Sequence, residues 1–260
     1  MRLLAAPLLA LVVTATSLAA LQTKTIEYKV GDQTYEGFLA WDDAQDVQKP
    51  GVIVIHEWWG NDDYSRSRAR QLAELGYVGF AIDLFGRGKT TQDPKQAGEW
   101  AGAVRGNPEK ARPLLEAALK TLKEQPQVDP SRTAAIGYCF GGTMALNMAR
   151  WGMDVDGVVS FHGDLSNPNP QQNAAKVNAK VLVAHGAADP MVPQAQLDAF
   201  KQEMAKASAD VRVEVYPDAQ HSFTNPQADK HGMKGIKYDE AADRKSCEEM
   251  KRFLADVLNK

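Results

Sequence analysis

The stretch Gly137-Tyr138-Cys139-Phe140-Gly141-Gly142 decides the fold class. It follows a predicted strand at 132–137 and opens a predicted helix at 140–151. A side chain carried on a tight strand-to-helix turn needs a strained backbone, so the positions two before and two after it must have almost no side chain. Glycines occupy both positions, and the stretch therefore has the G-x-S-x-G form with Cys139 in place of serine.

Cys139 is the candidate nucleophile of this turn. The N-terminus of a helix presents partial positive charge and free N–H groups, which favour a thiolate. Two alternatives stay open from the residues alone: a small buried hydrophobe, which is the commonest fate of a free cysteine, and a disulfide with Cys247, the other of the two cysteines. No C-x-x-C motif supports a redox protein, and the strand–turn–helix context favours the nucleophile.

Strand and helix patterns alternate on both sides of this turn. Residues 23–30 and 33–41 alternate between polar and apolar around a Gly31–Asp32 turn, which predicts an antiparallel hairpin. Because strands separated by helices make right-handed crossovers, we predict one α/β domain with an eight-stranded, mostly parallel sheet and helices on both faces. The later strands are predicted at 51–56, 77–83, 132–137, 155–161, 180–185 and 211–216, and helices at 64–75, 93–104, 108–124, 140–151, 193–207 and 240–258.

The candidate acid and base lie just beyond two later strands, at the edge where open parallel sheets bind ligands. Asp189 follows the strand at 180–185, and His221 follows the last strand at 211–216. The chain order nucleophile, acid, base is typical of α/β-hydrolases. We expect His221 to take the thiol proton of Cys139, and Asp189 to fix the tautomer of His221 and to stabilise its charged form.

Other residues compete for these two roles. Asp164, after the strand at 155–161, is the rival for the acid, and chain position favours Asp189 over it. His231 lies in a polar loop and is expected to be solvated. The histidines at other strand ends are interpreted as hydrogen-bonded structural residues, namely His56, His162 and His185.

No motif for a cofactor is found in the sequence. His56-Glu57-Trp58-Trp59-Gly60 begins like the zinc motif H-E-x-x-H, but Gly60 stands where the second histidine would be. No other histidine or cysteine pair has the spacing of metal ligands. The glycine-containing stretch at 85–89 matches neither a P-loop nor G-x-G-x-x-G. We therefore predict no metal, no nucleotide and no other cofactor.

These segments together resemble the dienelactone hydrolase family of α/β-hydrolases, over nearly the whole chain that follows the N-terminal segment. The turn at 137–142 is similar to that family's nucleophile turn, which uses cysteine rather than serine. The segment at 56–60 resembles the one after the family's third strand, and Asp189 and His221 fall where its acid and base fall. The resemblance implies a cysteine-dependent hydrolase of small esters or lactones, similar to carboxymethylenebutenolidase.

The resemblance also implies roles for further residues. Glu57 matches the glutamate that contacts the nucleophilic cysteine and helps to activate it when substrate binds. The oxyanion hole is expected from the backbone N–H groups of Phe140 and Trp58. Arg87 resembles the first of two arginines that bind a dienelactone carboxylate, and Asn225 stands near the place of the second. The loss of one such partner weakens carboxylate binding by about 1.5–3 kcal/mol.

The N-terminus has the pattern of a secretory signal. Arg2 is the only charge in the first twenty residues, an apolar run follows at 3–13, and small residues end the segment. We predict a signal peptide at residues 1–20 and an exported, periplasmic or secreted hydrolase domain at 21–260. An uncleaved membrane anchor is disfavoured because the apolar run is short for a bilayer and contains Pro7.

Composition limits the other classes of function. The 260 residues carry a formal net charge of −3 without a cluster of Lys or Arg, so nothing indicates a nucleic-acid partner. We expect a monomer that binds a small ester or lactone and has no stable membrane association once the signal is removed. The alternative functions are a general carboxylesterase of unrelated substrates and a catalytically silent binding protein on the same fold.

Overall fold

The computed structural model describes residues 21–44, 47–167 and 177–259. The predicted signal peptide at 1–20 lies outside these residues, and export therefore stays a prediction. No helix in the described part of the chain is both long enough and apolar enough to cross a membrane.

Eight strands of the described residues form one sheet in the order β1-β2-β4-β3-β5-β6-β7-β8. The pairs β1/β2 and β2/β4 are antiparallel, and all the other neighbouring strands are parallel. The predicted hairpin and the mostly parallel sheet are therefore confirmed. The strands are β1 Leu21–Val30, β2 Gln33–Asp42, β3 Lys49–Ile55, β4 Val78–Ile82, β5 Val128–Tyr138, β6 Gly157–Phe161, β7 Lys180–Gly186 and β8 Val211–Tyr216.

In the part of the chain that the structure describes, six α-helices cover both faces of the sheet. Buried residues of α2, α3, α4 and α5 belong to the hydrophobic core on one face, and those of α1 and α6 belong to the core on the other. The helices are α1 Asp63–Glu74, α2 Pro94–Arg105, α3 Pro108–Lys123, α4 Phe140–Arg150, α5 Gln194–Lys206 and α6 Glu240–Leu258.

The side chains of the central strands point alternately to the two faces of the sheet, and this explains why two hydrophobic cores form. In β3, Ile53 and Ile55 pack into the core below α2–α5, whereas Val52 and Val54 pack into the core below α1 and α6. Successive side chains of a strand point to opposite faces, so a continuous apolar run is what a strand covered on both faces requires.

The strand β5 begins earlier than the sequence predicts. It starts at Val128, where Val128 and Asp129 pair with Lys49 and Pro50 of β3, and the register then shifts at Pro50/Gly51. Pro130 interrupts the local strand pattern, because proline has no N–H to donate to a ladder. The additional pairing with β3 is a tertiary contact, which the local sequence pattern does not reveal. It lengthens β5 at the end opposite to Cys139.

Helix α4 begins very close to the backbone of β3. A Cβ added to Gly141 would overlap the carbonyl oxygen of Ile55, and one added to Gly137 would overlap the carbonyl oxygen of Gly141. A Cβ on Gly142 would stand 2.7 Å from Ser160 Oγ. The three glycines of the quoted stretch therefore let the first turn of α4 lie directly on the sheet edge.

This close approach predicts that Gly141→Ala destabilises the fold. We expect the free energy of unfolding to fall by about 1–3 kcal/mol or more, the usual cost of overpacking, because the contact is with backbone that cannot move aside. Gly102→Ala in α2 is the matched control, since an added Cβ there would meet nothing within 4 Å. This substitution should stabilise the helix by about 0.5–1 kcal/mol, because alanine favours the helical conformation more than glycine does. Urea denaturation measures both, and equal stability of Gly141→Ala and the unmodified protein would contradict the packing described.

Candidate active site

Cys139 sits at the N-cap of α4 in a strained backbone conformation. Its φ of 52° and ψ of −117° lie in a region that residues with a Cβ rarely adopt. Its N–H is shared between the carbonyl oxygen of Phe161, at 3.0 Å, and Nδ1 of His162, also at 3.0 Å. The end of β6 thus fixes the backbone that presents the thiol.

His221 and Asp189 complete a continuous hydrogen-bonded chain with Cys139. His221 Nε2 lies 3.0 Å from Cys139 Sγ, and His221 Nδ1 lies 2.8 Å from Asp189 Oδ2. Asp189 and His221 are buried, at 3% and 5% exposure. The backbone of His221 is held by the loop after it, since its N–H donates to Gly235 and its carbonyl accepts from Lys237. The structure therefore brings together the three residues that the sequence predicts as a triad.

The charged form of His221 is favoured by its partners. Burial alone would lower the pKa of this imidazole, but the negative charge of Cys139 and the hydrogen bond to Asp189 raise it well above its usual range. An imidazolium beside a thiolate is the pair that nucleophilic attack by cysteine requires. The arrangement can therefore supply both a nucleophile and a proton donor.

His162 lies directly beneath the nucleophile and is neutral. Because its Nδ1 accepts the Cys139 N–H, its proton is on Nε2, which donates to Thr224 Oγ1 at 2.8 Å. Tyr64 OH lies 2.7 Å from the same hydroxyl. Burial lowers the pKa of His162 well below its usual range, and the nearby charge of His221 lowers it further. Both ring nitrogens of His162 are thus hydrogen-bonded, and its position links the nucleophile to the loop after β8.

Glu57 is buried at 2% exposure and bonds to the loop that carries His221. Ser222 Oγ donates to its Oε1 at 2.8 Å, and Asn225 Nδ2 donates to its Oε2 at 2.7 Å. Burial raises the pKa of Glu57, and the bonds from Asn225 and Ser222 oppose that rise. Each carboxylate oxygen thus has a donor on this loop, whereas the family resemblance predicts a contact with Cys139.

A cavity of about 380 Å³ opens beside Cys139 and His221. Phe140 is the first residue of α4, so its N–H is one of those that a helix leaves without an internal acceptor. Trp58, the second predicted oxyanion donor, borders the same cavity, in a turn closed by a bond from Gly60 N–H to the Glu57 carbonyl. The apolar part of the wall is formed by Trp58, Ala101, Phe140, Met191, Val192 and Ile236.

Arg87 does not border this cavity. Its guanidinium pairs with Glu27 at 2.9 Å and Glu36 at 3.6 Å, on the exposed side of the N-terminal hairpin. The basic residue that does border the cavity is Arg105, at the end of α2, and it faces Asp164. The predicted substrate-binding position of Arg87 is thus corrected, because the loop after β4 directs this side chain towards β1 and β2.

Other candidates from the sequence take different positions. Asp164 is not the partner of His221, whose Nδ1 bonds to Asp189. His231 is half-buried and stacks on Trp59 with ring centroids 4.0 Å apart, whereas the sequence predicts a solvated side chain. Both cysteines are free, and Cys139 and Cys247 pack against opposite faces of the sheet.

Among residues 21–44, 47–167 and 177–259, no set of three or more His, Cys, Asp or Glu side chains is arranged to hold a metal ion.

Two features of the site were not predicted from the sequence, namely the contact of His162 with Cys139 and the position of Arg105 at the cavity. His162 follows the strand next to the one that carries Cys139, and that adjacency was the signal for a contact between them. Arg105 gave no comparable signal, because it lies at the end of a helix and reaches the cavity only through packing of α2 on the sheet.

Comparison with known proteins gives consistent similarities. The model of the dienelactone hydrolase family matches residues 35–258. A solved structure named m3DLH is 40% identical, with a TM-score of 0.88 over 92% of this chain and 99% of its own. A dienelactone hydrolase-like promiscuous phosphotriesterase from metagenomic libraries is 34% identical, with the same TM-score and coverage. A Saccharolobus solfataricus protein named "Putative carboxymethylenebutenolidase" is 26% identical over 90% of this chain and 98% of its own.

The burial of Glu57 predicts a pH-dependent gain in stability for Glu57→Gln. A carboxyl whose pKa is raised by folding destabilises the protein above that pKa, and the penalty disappears as the pH falls below the pKa of the unfolded chain. A glutamine can still accept from Asn225 and donate to Ser222. We therefore expect the variant to be more stable than the unmodified protein at pH 7.5, with a smaller gain at pH 4.

Urea denaturation at both pH values measures this gain. Glu109→Gln, at an exposed carboxylate on α3, is the matched control and should show no such gain at pH 7.5. A Glu57→Gln variant that is less stable than the unmodified protein at both pH values would contradict the account.

Proposed function

This chain belongs to the dienelactone hydrolase family of hydrolases, and we propose that it cleaves small carboxylic esters or lactones with the triad Cys139, His221 and Asp189. The observation that supports this most directly is the unbroken chain from Cys139 Sγ through His221 to Asp189, with links of 3.0 and 2.8 Å, at the mouth of a cavity. The family uses an α/β-hydrolase fold, and the sheet described above has that form.

Acylation would start from the ion pair of the Cys139 thiolate and the His221 imidazolium, which forms by transfer of the thiol proton to His221 Nε2. The thiolate then attacks the carbonyl carbon, and the carbonyl oxygen becomes an oxyanion that the N–H groups of Phe140 and Trp58 stabilise. Collapse of the tetrahedral intermediate breaks the bond to the alkoxide, which takes the proton from His221. The product of this half-reaction is a thioester on Cys139; with a lactone, the released hydroxyl stays attached to the acyl chain.

Deacylation would use the same residues with water as the nucleophile. His221 removes a proton from the water as its oxygen attacks the thioester carbonyl. The second tetrahedral intermediate expels the sulfur of Cys139, which regains its proton from His221, and the carboxylic acid is released. Asp189 keeps Nδ1 of His221 protonated through both halves and stabilises the imidazolium.

Glu57 would assist through charge. Its carboxylate is bound by Ser222, the residue next to His221, and by Asn225. Burial raises the pKa of Glu57, and the charge of a protonated His221 opposes part of that rise. By reciprocity, an ionised Glu57 favours the imidazolium. We propose that Glu57 is an auxiliary that stabilises the ion pair before substrate binds.

The cavity supports small substrates. Its volume of about 380 Å³ lies at the small end of ligand sites, and most of its wall is apolar. The pair of arginines that the family's type substrate would need is not assembled here, because Arg87 points to the hairpin and Asn225 binds Glu57. A dienelactone carboxylate is therefore not the substrate we favour.

Phosphotriester hydrolysis is a second candidate activity. It is favoured by the likeness to the promiscuous phosphotriesterase, over 92% of this chain at 34% identity. The same thiolate would attack phosphorus instead of carbon, and the bond to the aryloxide would break as that group leaves. Water, deprotonated by His221, would then attack the phosphorus of the phosphothioester, expel the sulfur of Cys139 and release the dialkyl phosphate. A dialkyl p-nitrophenyl phosphate, assayed beside the ester below, tests it.

The proposal predicts Cys139-dependent hydrolysis of p-nitrophenyl butanoate by the purified protein. Cys139→Ala should lower kcat/KM by about 10³-fold or more, since removing a nucleophile abolishes the covalent route. Cys247→Ala is the matched control and should retain activity, because this thiol lies on the opposite face of the sheet. Release of p-nitrophenol at equal rates by the unmodified protein and Cys139→Ala would overturn the proposed function.

A further inference from the structure

We propose that Thr143, Arg105 and Asp164 form a subsite that binds a neutral, hydroxyl-bearing part of the substrate. The subsite borders the cavity that contains Cys139 and His221. The inference rests on the proposed hydrolase function and deepens it, because it names the class of ester or lactone that the cavity selects.

Thr143 is the first indication of this subsite. It lies one helical turn after Cys139 on α4, where its N–H bonds to the Cys139 carbonyl at 3.3 Å. The residue is only 3% exposed and borders the cavity, and its Oγ1 has no hydrogen-bond partner among the described residues. A buried hydroxyl is seldom left without a partner, so the geometry indicates a polar ligand atom about one helical turn from the nucleophile.

Arg105 and Asp164 are the second indication. Arg105 Nη1 lies 3.9 Å from Asp164 Oδ2, which is longer than a hydrogen bond. Asp164 is held in place by the N–H of Ser166, which donates to its other oxygen at 2.9 Å. With 48% and 31% of their side chains exposed, the two groups form a weak pair that a ligand can enter at little cost.

The chemistry of this pair selects the class of ligand. A hydroxyl can accept from Arg105 and donate to Asp164 at the same time. A carboxylate can accept from Arg105 but has nothing to donate to Asp164, whose negative charge repels it. An ammonium group can donate to Asp164, but it cannot accept from Arg105, whose positive charge repels it. Thr143 can both donate and accept, so all three side chains suit a hydroxylated group such as a diol.

A second cavity gives such a group room to extend. It has a volume of about 110 Å³ and is bordered by the same three residues, together with Asn147 and Ser166. The two cavities therefore meet at Thr143, Arg105 and Asp164. A substrate with its carbonyl at Cys139 and its hydroxyls at this junction would have its polar end in the second cavity.

The test compares three γ-lactones as competitive inhibitors of p-nitrophenyl butanoate hydrolysis. They are γ-butyrolactone, its 2,3-dihydroxy derivative and its γ-carboxylate derivative. Inhibition constants are used because they can be measured for a lactone that is not hydrolysed, and they equal the dissociation constant where hydrolysis of the lactone is slow compared with its release. The ratio of the inhibition constants of two lactones is compared between proteins, because a substitution that weakens the binding of all lactones equally leaves this ratio unchanged.

For the unmodified protein we expect the dihydroxylactone to bind about tenfold more tightly than γ-butyrolactone, and the carboxylate to bind no more tightly than γ-butyrolactone. Thr143→Val and Asp164→Asn should each reduce the dihydroxylactone preference about fivefold. Asp164→Asn should also improve binding of the carboxylate, because the repulsive charge is gone. Arg87→Ala is the matched control, and it should leave both ratios unchanged since Arg87 pairs with the hairpin.

The possible failures are distinguishable. If the unmodified protein hydrolyses the ester no faster than Cys139→Ala, the proposed function fails and the subsite with it. If hydrolysis depends on Cys139 but neither variant alters the lactone ratios, the subsite alone is overturned. Tighter binding of the carboxylate than of the dihydroxylactone by the unmodified protein would overturn the hydroxyl class. Asp164 is partly exposed, so we expect Asp164→Asn to fold. If Thr143→Val does not fold, the lactone ratios of Asp164→Asn alone test the subsite.

Discussion

The first turn of helix α4 lies against the end of strand β3 with no space for a side chain at Gly141, whose added Cβ would overlap the Ile55 carbonyl. This approach forces Cys139 into a positive φ of 52° at the helix N-terminus. It also places Phe140, the first residue of α4, beside Cys139 on the wall of the cavity. The rest of the site depends on this constraint, because a longer turn would remove the thiol from the reach of His221.

Charge in the site is set by burial and by specific partners. His162 and His221 have ring centroids only 5.3 Å apart, yet their pKa values move in opposite directions. His162 is buried against N–H and hydroxyl groups and stays neutral, whereas His221 lies between Cys139 and Asp189 and favours the charged form. Glu57, which is hydrogen-bonded to the loop that carries His221, adds a buried carboxyl that costs stability and favours the same imidazolium.

The sequence predicts the sheet, its helices and the positions of Cys139, His221 and Asp189 because those features follow from local patterns. Apolar runs mark buried strands, and strand ends in a parallel sheet meet at one edge. The direction of a long side chain is not local. The resemblance implies that Arg87 binds substrate, but Glu27 and Glu36 on the hairpin bind it. Arg105 reaches the cavity through helix packing, for which no sequence motif exists.

The most direct test of the account is the rate at which iodoacetamide alkylates Cys139 at pH 6.5. Mass spectrometry of the peptides that contain each cysteine measures the fraction alkylated over time. Cys247 in the same molecule is the internal control, because burial raises the pKa of that thiol. The account predicts that His221→Asn slows alkylation of Cys139 about tenfold or more, since the imidazolium that stabilises the thiolate is lost, and leaves Cys247 unchanged. Equal alkylation rates of Cys139 with and without His221 would contradict the triad.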